Sequence, residues 1–185
     1  RDLHSFPTRR SSDLIKAAKA KGLRVVLADG NAGALHADSG DTFLHIDLKD
    51  KEALAVAAAG IPDLCGVFTA GTDFSASVAW VAGALGLPGI PYEAAMDASD
   101  KARMRARLSA AGVPVPAWAA GSAADDPSLL AGSICTWPLV VKPVDNMGAR
   151  GCRLARSAGE FADAWADALA NSRTGLAIVE PSLDR

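Results

Sequence analysis

The segment Pro138-Leu-Val-Val-Lys-Pro-Val-Asp-Asn-Met-Gly-Ala-Arg-Gly151 constrains this chain more than any other stretch. Its apolar opening predicts a short buried strand, Lys142 stands at the strand's end, and Gly148 and Gly151 mark a turn beyond it. Cys152 to Ala155 then predicts the returning strand of a hairpin. A strand-end lysine offers a compact ammonium. Glycines let the backbone take φ > 0, so that successive N–H groups face an anion. Taken alone, Lys142 reads as a solvated lysine and the glycine pair as hairpin punctuation. Together they suit the phosphates of a nucleoside triphosphate. The order is not that of a Walker A loop, whose lysine follows the glycines and precedes Ser or Thr.

Upstream, strands and helices alternate. Leu23 to Ala28 predicts a strand closed by Asp29-Gly30-Asn31, and Thr42 to Ile46 a second strand. Asp50 to Ala59 predicts a helix stopped by Gly60, with Glu52 in its first turn. Cys65 to Thr69 predicts a third strand, then the turn Ala70-Gly-Thr-Asp73, with Asp73 as cap of an apolar helix, Phe74 to Leu85. Such alternation predicts βαβ units and a parallel sheet, in which ligands gather at the carboxyl ends of the strands. Asp29 reads mainly as a turn former. A helical Ala/Lys run, Ile15 to Lys21, precedes all of this.

Leu87-Pro-Gly-Ile-Pro91 breaks the pattern and predicts the domain seam. Beyond it come a short helix, Tyr92 to Ala98, and a longer one, Asp100 to Ala111, capped by Ser99 and stopped at Gly112. Val113-Pro-Val-Pro116 predicts an extended connector. Then follow a strand at Ala117 to Ala120, a helical piece at Asp125 to Ala131, and a capping box, Ser157 to Glu160, opening a helix from Phe161 to Ala170. Gly175 to Glu180 predicts a last strand.

With 50% hydrophobic and 22% charged residues the chain reads as globular. A net charge of −2 gives no support for nucleic-acid binding, so the basic run Lys101 to Arg107 reads as a solvated helix face. Cys65, Cys135 and Cys152 form no C-x-x-C pair, which suits neither zinc nor a disulfide framework and fits a reducing, cytoplasmic setting. The longest apolar stretch, Val78 to Ile90, is too short to span a bilayer and is broken by glycines and a proline. The histidines assemble no site, and the tryptophans read as packing residues. Residues 1–14, RDLHSFPTRRSSDL, match one translated frame of a common sequencing-library adapter residue for residue. They read as a non-native leader, with native sequence from about Ile15.

Several features stand in a fixed order. Asp100-Lys101 opens a helix that ends in Ala-Gly-Val-Pro-Val-Pro116. A Val-Val-Lys-Pro strand and the glycine loop follow, then an Ala-rich helix and a strand ending in Ile-Val-Glu180. In this order the chain resembles the ATP-grasp superfamily of carboxylate–amine ligases, in the branch of carbamoyl-phosphate synthase large subunits, biotin carboxylases and amino-acid ligases. The resemblance implies an α/β chain truncated at both ends. A Rossmann-like, parallel-sheet pre-ATP-grasp domain would occupy residues 15–97, and the N-terminal α+β part of an ATP-grasp domain residues 98–185.

The resemblance also implies roles. Lys101 would reach the ATP phosphates from the helix start, and Lys142 the α- and β-phosphates from the strand. The loop from Asp145 to Gly151 would fold over the phosphates, shaped by Gly148 and Gly151, with Arg150 as an extra cation. Glu180 and the chain to Leu183 would form the hinge that reads adenine through the backbone. ATP and Mg²⁺ are the implied cofactors. The metal ligands and catalytic residues are expected beyond Arg185, so this piece is expected to be inactive alone. The parent protein would activate a small carboxylate as an acyl phosphate for attack by an amine. Its partners would be small molecules, with neither nucleic acid nor membrane among them, and it could form a homo-oligomer. Two rivals remain open. One is an NAD(P)-dependent Rossmann oxidoreductase, which leaves the Lys142 loop unexplained; the other is a non-catalytic nucleotide-binding module.

Overall fold

The computed structural model describes residues 7–69, 73–134 and 136–183. The chain divides into two units, one up to Ala95 and one from Met96. The first has helix α1, Pro7–Ala20, which begins earlier than the expected Ile15. Pro7 suits the first helical position, where a missing N–H costs nothing, and Gly22, at φ 75°, follows its end. Strands β1, Val26–Asp29, and β2, Thr42–His45, pair in parallel from Val26↔Thr42 to Asp29↔His45. Helix α2, Lys51–Ala59, is capped by Asp50, whose carboxylate accepts the Ala53 N–H at 2.9 Å. Helix α3, Ser75–Ala84, buries Ala79, Val81 and Ala82.

Two expectations fail in this unit. The strand expected at residues 65–69 is irregular backbone, with Phe68 exposed. A strand's preference depends on a partner ladder and a face to pack on, and Gly66 weakens a short segment further. The cap of α3 falls on Phe74, which makes no side-chain cap bond, not on Asp73. The expected turn at residues 70–72 lies outside the described residues. Trp80 packs edge-on to Tyr92 at 5.1 Å, and the Lys51 ammonium lies 4.5 Å from the Trp80 ring centre. A cation over an aromatic face is attracted by the ring quadrupole.

Helix α4, Tyr92–Ser99, leads into α5, Lys101–Ala110. Ser99 ends α4, and Asp100 is the cap of α5: its Oδ1 accepts from the N–H groups of Ala102 at 2.8 Å and Arg103 at 2.9 Å. Aspartate accepts those donors and also places its charge at the positive end of the helix, so the cap moves one residue past the serine. The second unit is built on a four-stranded antiparallel sheet in the order β3-β6-β4-β5. The strands are β3, Ala119–Gly121; β4, Leu139–Pro143; β5, Arg153–Ala155; and β6, Ala177–Pro181. Helices α6, Pro127–Ile134, and α7, Ala158–Ala170, supply the apolar cover. Leu139, Val141, Ala177 and Val179 pack with Phe161, Ala164, Trp165 and Ala168 into one core.

Burial alternates along β4: Leu139, Val141 and Pro143 are buried, Val140 and Lys142 half-buried. Register pairs Val141 with Val179, Val140 with Glu180 and Lys142 with Ile178. Because side chains alternate across a sheet, Lys142 and Glu180 share the face opposite Val141 and Val179. They stand on a diagonal that long side chains can span. At the head of α7, Ser157 accepts the Glu160 N–H, and Glu160 reaches back to the N–H of Arg156 at 2.9 Å, one residue further than in a standard capping box.

Candidate nucleotide-binding site

Three cations and one carboxylate gather where α5 begins and β4 ends. Lys142 Nζ donates to Glu180 Oε2 at 2.5 Å, and Arg105 Nε, from α5, donates to the other oxygen, Oε1, at 2.5 Å. Glu180 is 5% exposed, so a lone carboxylate there would be pushed toward its neutral form. Burial acts in that direction, but the bonds and charges of Arg105 and Lys142 outweigh it and hold Glu180 below its ordinary range. The carboxylate is therefore a fixed anion between two cations.

Lys101, the first residue of α5, ties the helix to the loop root. Its backbone N–H donates to the Val144 carbonyl at 2.8 Å, and its Nζ donates to the carbonyls of Asn146 at 2.8 Å and Val144 at 3.3 Å. Burial lowers its pKa first and the positive charge of Lys142 second, while Asp145 and Asp100 oppose the shift. A partly buried ammonium beside a second one, at the N-terminal end of a helix, gains by receiving an anion.

The loop between β4 and β5 has a fixed root and an open tip. Asp145 is bonded to the turn after α7. Its carboxylate accepts from Ser172 Oγ and the Arg173 N–H at 3.1 Å each and from the Thr174 N–H at 2.7 Å. Its backbone carbonyl accepts from the Arg173 guanidinium. Burial would raise its pKa, yet these bonds hold it low. Asn146 Nδ2 donates to the Asn171 carbonyl at 2.8 Å. Beyond this root, Gly148, Ala149 and Gly151 take φ of 70°, 58° and 68°. A Cβ at Gly151 would lie 2.6 Å from Asn171 Cβ, whereas one at Gly148 would meet nothing within 4 Å. Met147 and Arg150 are exposed, with Arg150 Nε 3.4 Å from the Met147 carbonyl.

Of the residues singled out from sequence, Lys101, Lys142 and Glu180 converge, and Gly148 and Gly151 shape the loop beside them. Leu183 lies past β6, 73% exposed, where the Ser182 N–H donates to the Pro138 carbonyl at 2.8 Å. Arg105 was missed. It sits four residues after Lys101, and that spacing puts two residues on one helix face. Among the described residues, no three His, Cys, Asp or Glu side chains gather in a set that could hold a metal ion. Among the described residues the donor set fits a polyphosphate and not a divalent cation. No helix of the described residues is long and apolar enough to cross a membrane.

Residues 100–185 match the family described as the carbamoyl-phosphate synthase L chain, ATP binding domain. This region is similar to an ATP-grasp ATP-binding domain. Solved structures resemble the chain in fold over a longer stretch. The biotin carboxylase domain of Hydrogenobacter thermophilus 2-oxoglutarate carboxylase, solved as a dimer with MgADP, ADP and bicarbonate, gives a TM-score of 0.70 at 20% identity. That match covers 93% of this chain and 42% of that one. An L-amino acid ligase from Bacillus licheniformis gives 0.69 at 23% identity, covering 94% of this chain and 41% of that one. N5-carboxyaminoimidazole synthetase from Staphylococcus aureus, complexed with ADP, gives 0.67 at 17%, covering 94% and 44%. At these identities the likeness is one of fold: a Rossmann-like unit followed by the first part of an ATP-grasp unit. An uncharacterised Sinorhizobium fredii protein, y4rH, is 38% identical over 101 residues, which is 55% of this chain and 21% of that protein. The chain thus spans about a fifth of the curated relative it matches and well under half of these structures.

Proposed function

We propose that this chain is the ATP-binding part of an ATP-grasp ligase whose parent protein joins a small carboxylate to an amine or a similar nucleophile. The observation that carries this reading is the convergence of Lys101 and Lys142 at the root of a loop with three positive-φ residues. Two ammonium groups, one of them at the positive end of a helix, and a loop backbone able to turn its amides inward form a positive cradle for phosphate oxygens. Bound ATP would supply the phosphoryl group that turns a carboxylate into an acyl phosphate.

The residues of this chain then act by holding and orienting. Lys142 binds phosphate oxygens as a point charge near the end of a central strand, where it pairs with Ile178 of β6. Lys101 lies across the loop root, so anion binding there loads α5 and the loop together. The tip, residues 147–150, closes over the phosphates and excludes water, while Asp145 and Asn146 keep its base anchored. Catalysis of this type is mostly positioning and charge stabilisation. The strand end at Glu180 and the chain to Leu183 offer backbone groups to the adenine edge.

The test is calorimetric titration of the chain with ATP. Lys142→Ala is expected to weaken binding at least about tenfold, since it removes a partly buried ammonium from the phosphates. Affinity equal to wild type would remove the site from this loop. In the full-length parent, ADP release that requires both a carboxylate and an amine would support ligation; nucleotide binding without it would leave a non-catalytic module.

A further inference from the structure

The Lys142–Glu180 pair poses a charge problem. A buried lysine bound one-to-one by a carboxylate is a neutral couple, and a neutral couple has little attraction for a polyphosphate. Arg105 changes this balance. It occupies Oε1 of Glu180 while Lys142 occupies Oε2, so two cations share one carboxylate and the trio stays net positive. Arginine suits the place: its charge persists at any ordinary pH, and its planar, weakly hydrated guanidinium tolerates burial beside a carboxylate. Arg105 is only 20% exposed at its side chain, Lys142 19% and Glu180 7%, so screening by water is limited.

Resting on the nucleotide reading above, we propose that Arg105 is a positioning residue of the phosphate site. It holds one oxygen of Glu180 and thereby keeps the Lys142 ammonium oriented and available to phosphate. Nothing in the arrangement requires Arg105 to touch the nucleotide. It acts through Glu180. Without it, Glu180 has a single cation left and keeps Lys142 to itself. With it, Glu180 is a shared brace that Lys142 can leave in part when a phosphate arrives. The two strands and the helix are also joined at one point, since β4 supplies Lys142, β6 supplies Glu180 and α5 supplies Arg105.

The prediction has a signature that a purely structural arginine would not produce. In titrations of the whole chain with ATP, Arg105→Met is expected to weaken affinity roughly tenfold. Arg105→Lys should recover part of the loss, because charge returns without the planar fork. The decisive variant is Arg105→Met combined with Glu180→Gln. A neutral glutamine no longer captures Lys142, so ATP affinity should return to within about threefold of wild type. Hydrogen exchange of β4 and β6 in each variant establishes that the sheet is formed. The proposal is overturned if Arg105→Met keeps wild-type affinity, or if adding Glu180→Gln deepens the loss. Should Lys142→Ala still abolish binding in either case, the nucleotide site stands and only the role of Arg105 falls. Should Lys142→Ala bind ATP like wild type, both fall together.

Discussion

The two units solve the same problem, covering a sheet, with unequal success. In the second, β4 and β6 lie in the middle of four antiparallel strands, and Leu139, Val141, Ala177, Ile178 and Val179 are fully buried. In the first, the described residues form a sheet of two parallel strands, and no residue of β1 or β2 is buried. Parallel strands are normally covered on both faces, and a two-stranded ribbon has too little surface to achieve that. The apolar burial of the first unit sits instead on helices, at Ile15, Ala58, Ala79, Val81, Ala82 and Ala95. An antiparallel sheet closes its ladder with local hairpins such as β4–β5. A parallel one depends on neighbours brought in by crossovers.

The largest expected effect tests that contrast directly. Phe161→Ala should cost the second unit about 3–5 kcal/mol, since Phe161 is 2% exposed and stacks on Trp165 at 5.8 Å. Val56→Ala, at a helix position 77% exposed in the first unit, should stay within about 0.5 kcal/mol. Denaturant unfolding followed by hydrogen exchange separates the two, and equal losses would erase the distinction between a packed and an open unit. Next, Glu180→Ala should cost about 3 kcal/mol, because Arg105 and Lys142 then face each other without their shared carboxylate.

The same groups predict an acid response. Glu180 and Asp145 are held below their ordinary values of 4.5 and 3.8 in the folded chain. Depressed carboxylates stabilise fully above the unfolded values and lose that contribution as pH falls through the folded ones. Protection of β4 and β6 should therefore decline below about pH 4.5, and exchange rates flat down to pH 2 would contradict it. The smallest effect separates the two loop glycines. Gly148→Ala should cost about 1–2 kcal/mol, from the left-handed backbone alone. Gly151→Ala should cost more, because its Cβ also collides with Asn171. Equal thermal shifts would show that the loop root yields as readily as the tip.

Much of this arrangement was legible in the sequence, for definite reasons. The β4 strand and its hairpin announce themselves because Leu139 to Val141 are apolar and the glycines force a turn. Asp50 and Ser157 mark helix starts because capping is a local bond. What stayed hidden depends on partners far along the chain. Arg105 reads as one of several cations on a basic helix until β6 brings Glu180 to it, 75 residues away. Asp145 reads as a loop acid until Ser172 to Thr174 arrive to bind it. Residues 65–69 have strand-like composition but show no ladder among the described residues. The Ser99 cap missed by one position because serine and aspartate are adjacent and both capable.

The fastening of Lys101 to Val144 has a consequence for engineering. Two points 43 residues apart are pinned by two hydrogen bonds, with a third from Lys101 to Asn146, and between them the chain runs out through β3 and α6 before returning along β4. Its turn at residues 122–126 is held by its own Ser122 and Asp125, which bond each other at 2.9 Å near the surface. Extra residues placed there lengthen a loop that is already closed, and each doubling of loop length adds only about 0.6 kcal/mol. A tag or reporter inserted between Ala123 and Ala124 should leave the lysines where they are, giving a handle for attaching the protein to a surface or a dye with its anion cradle intact.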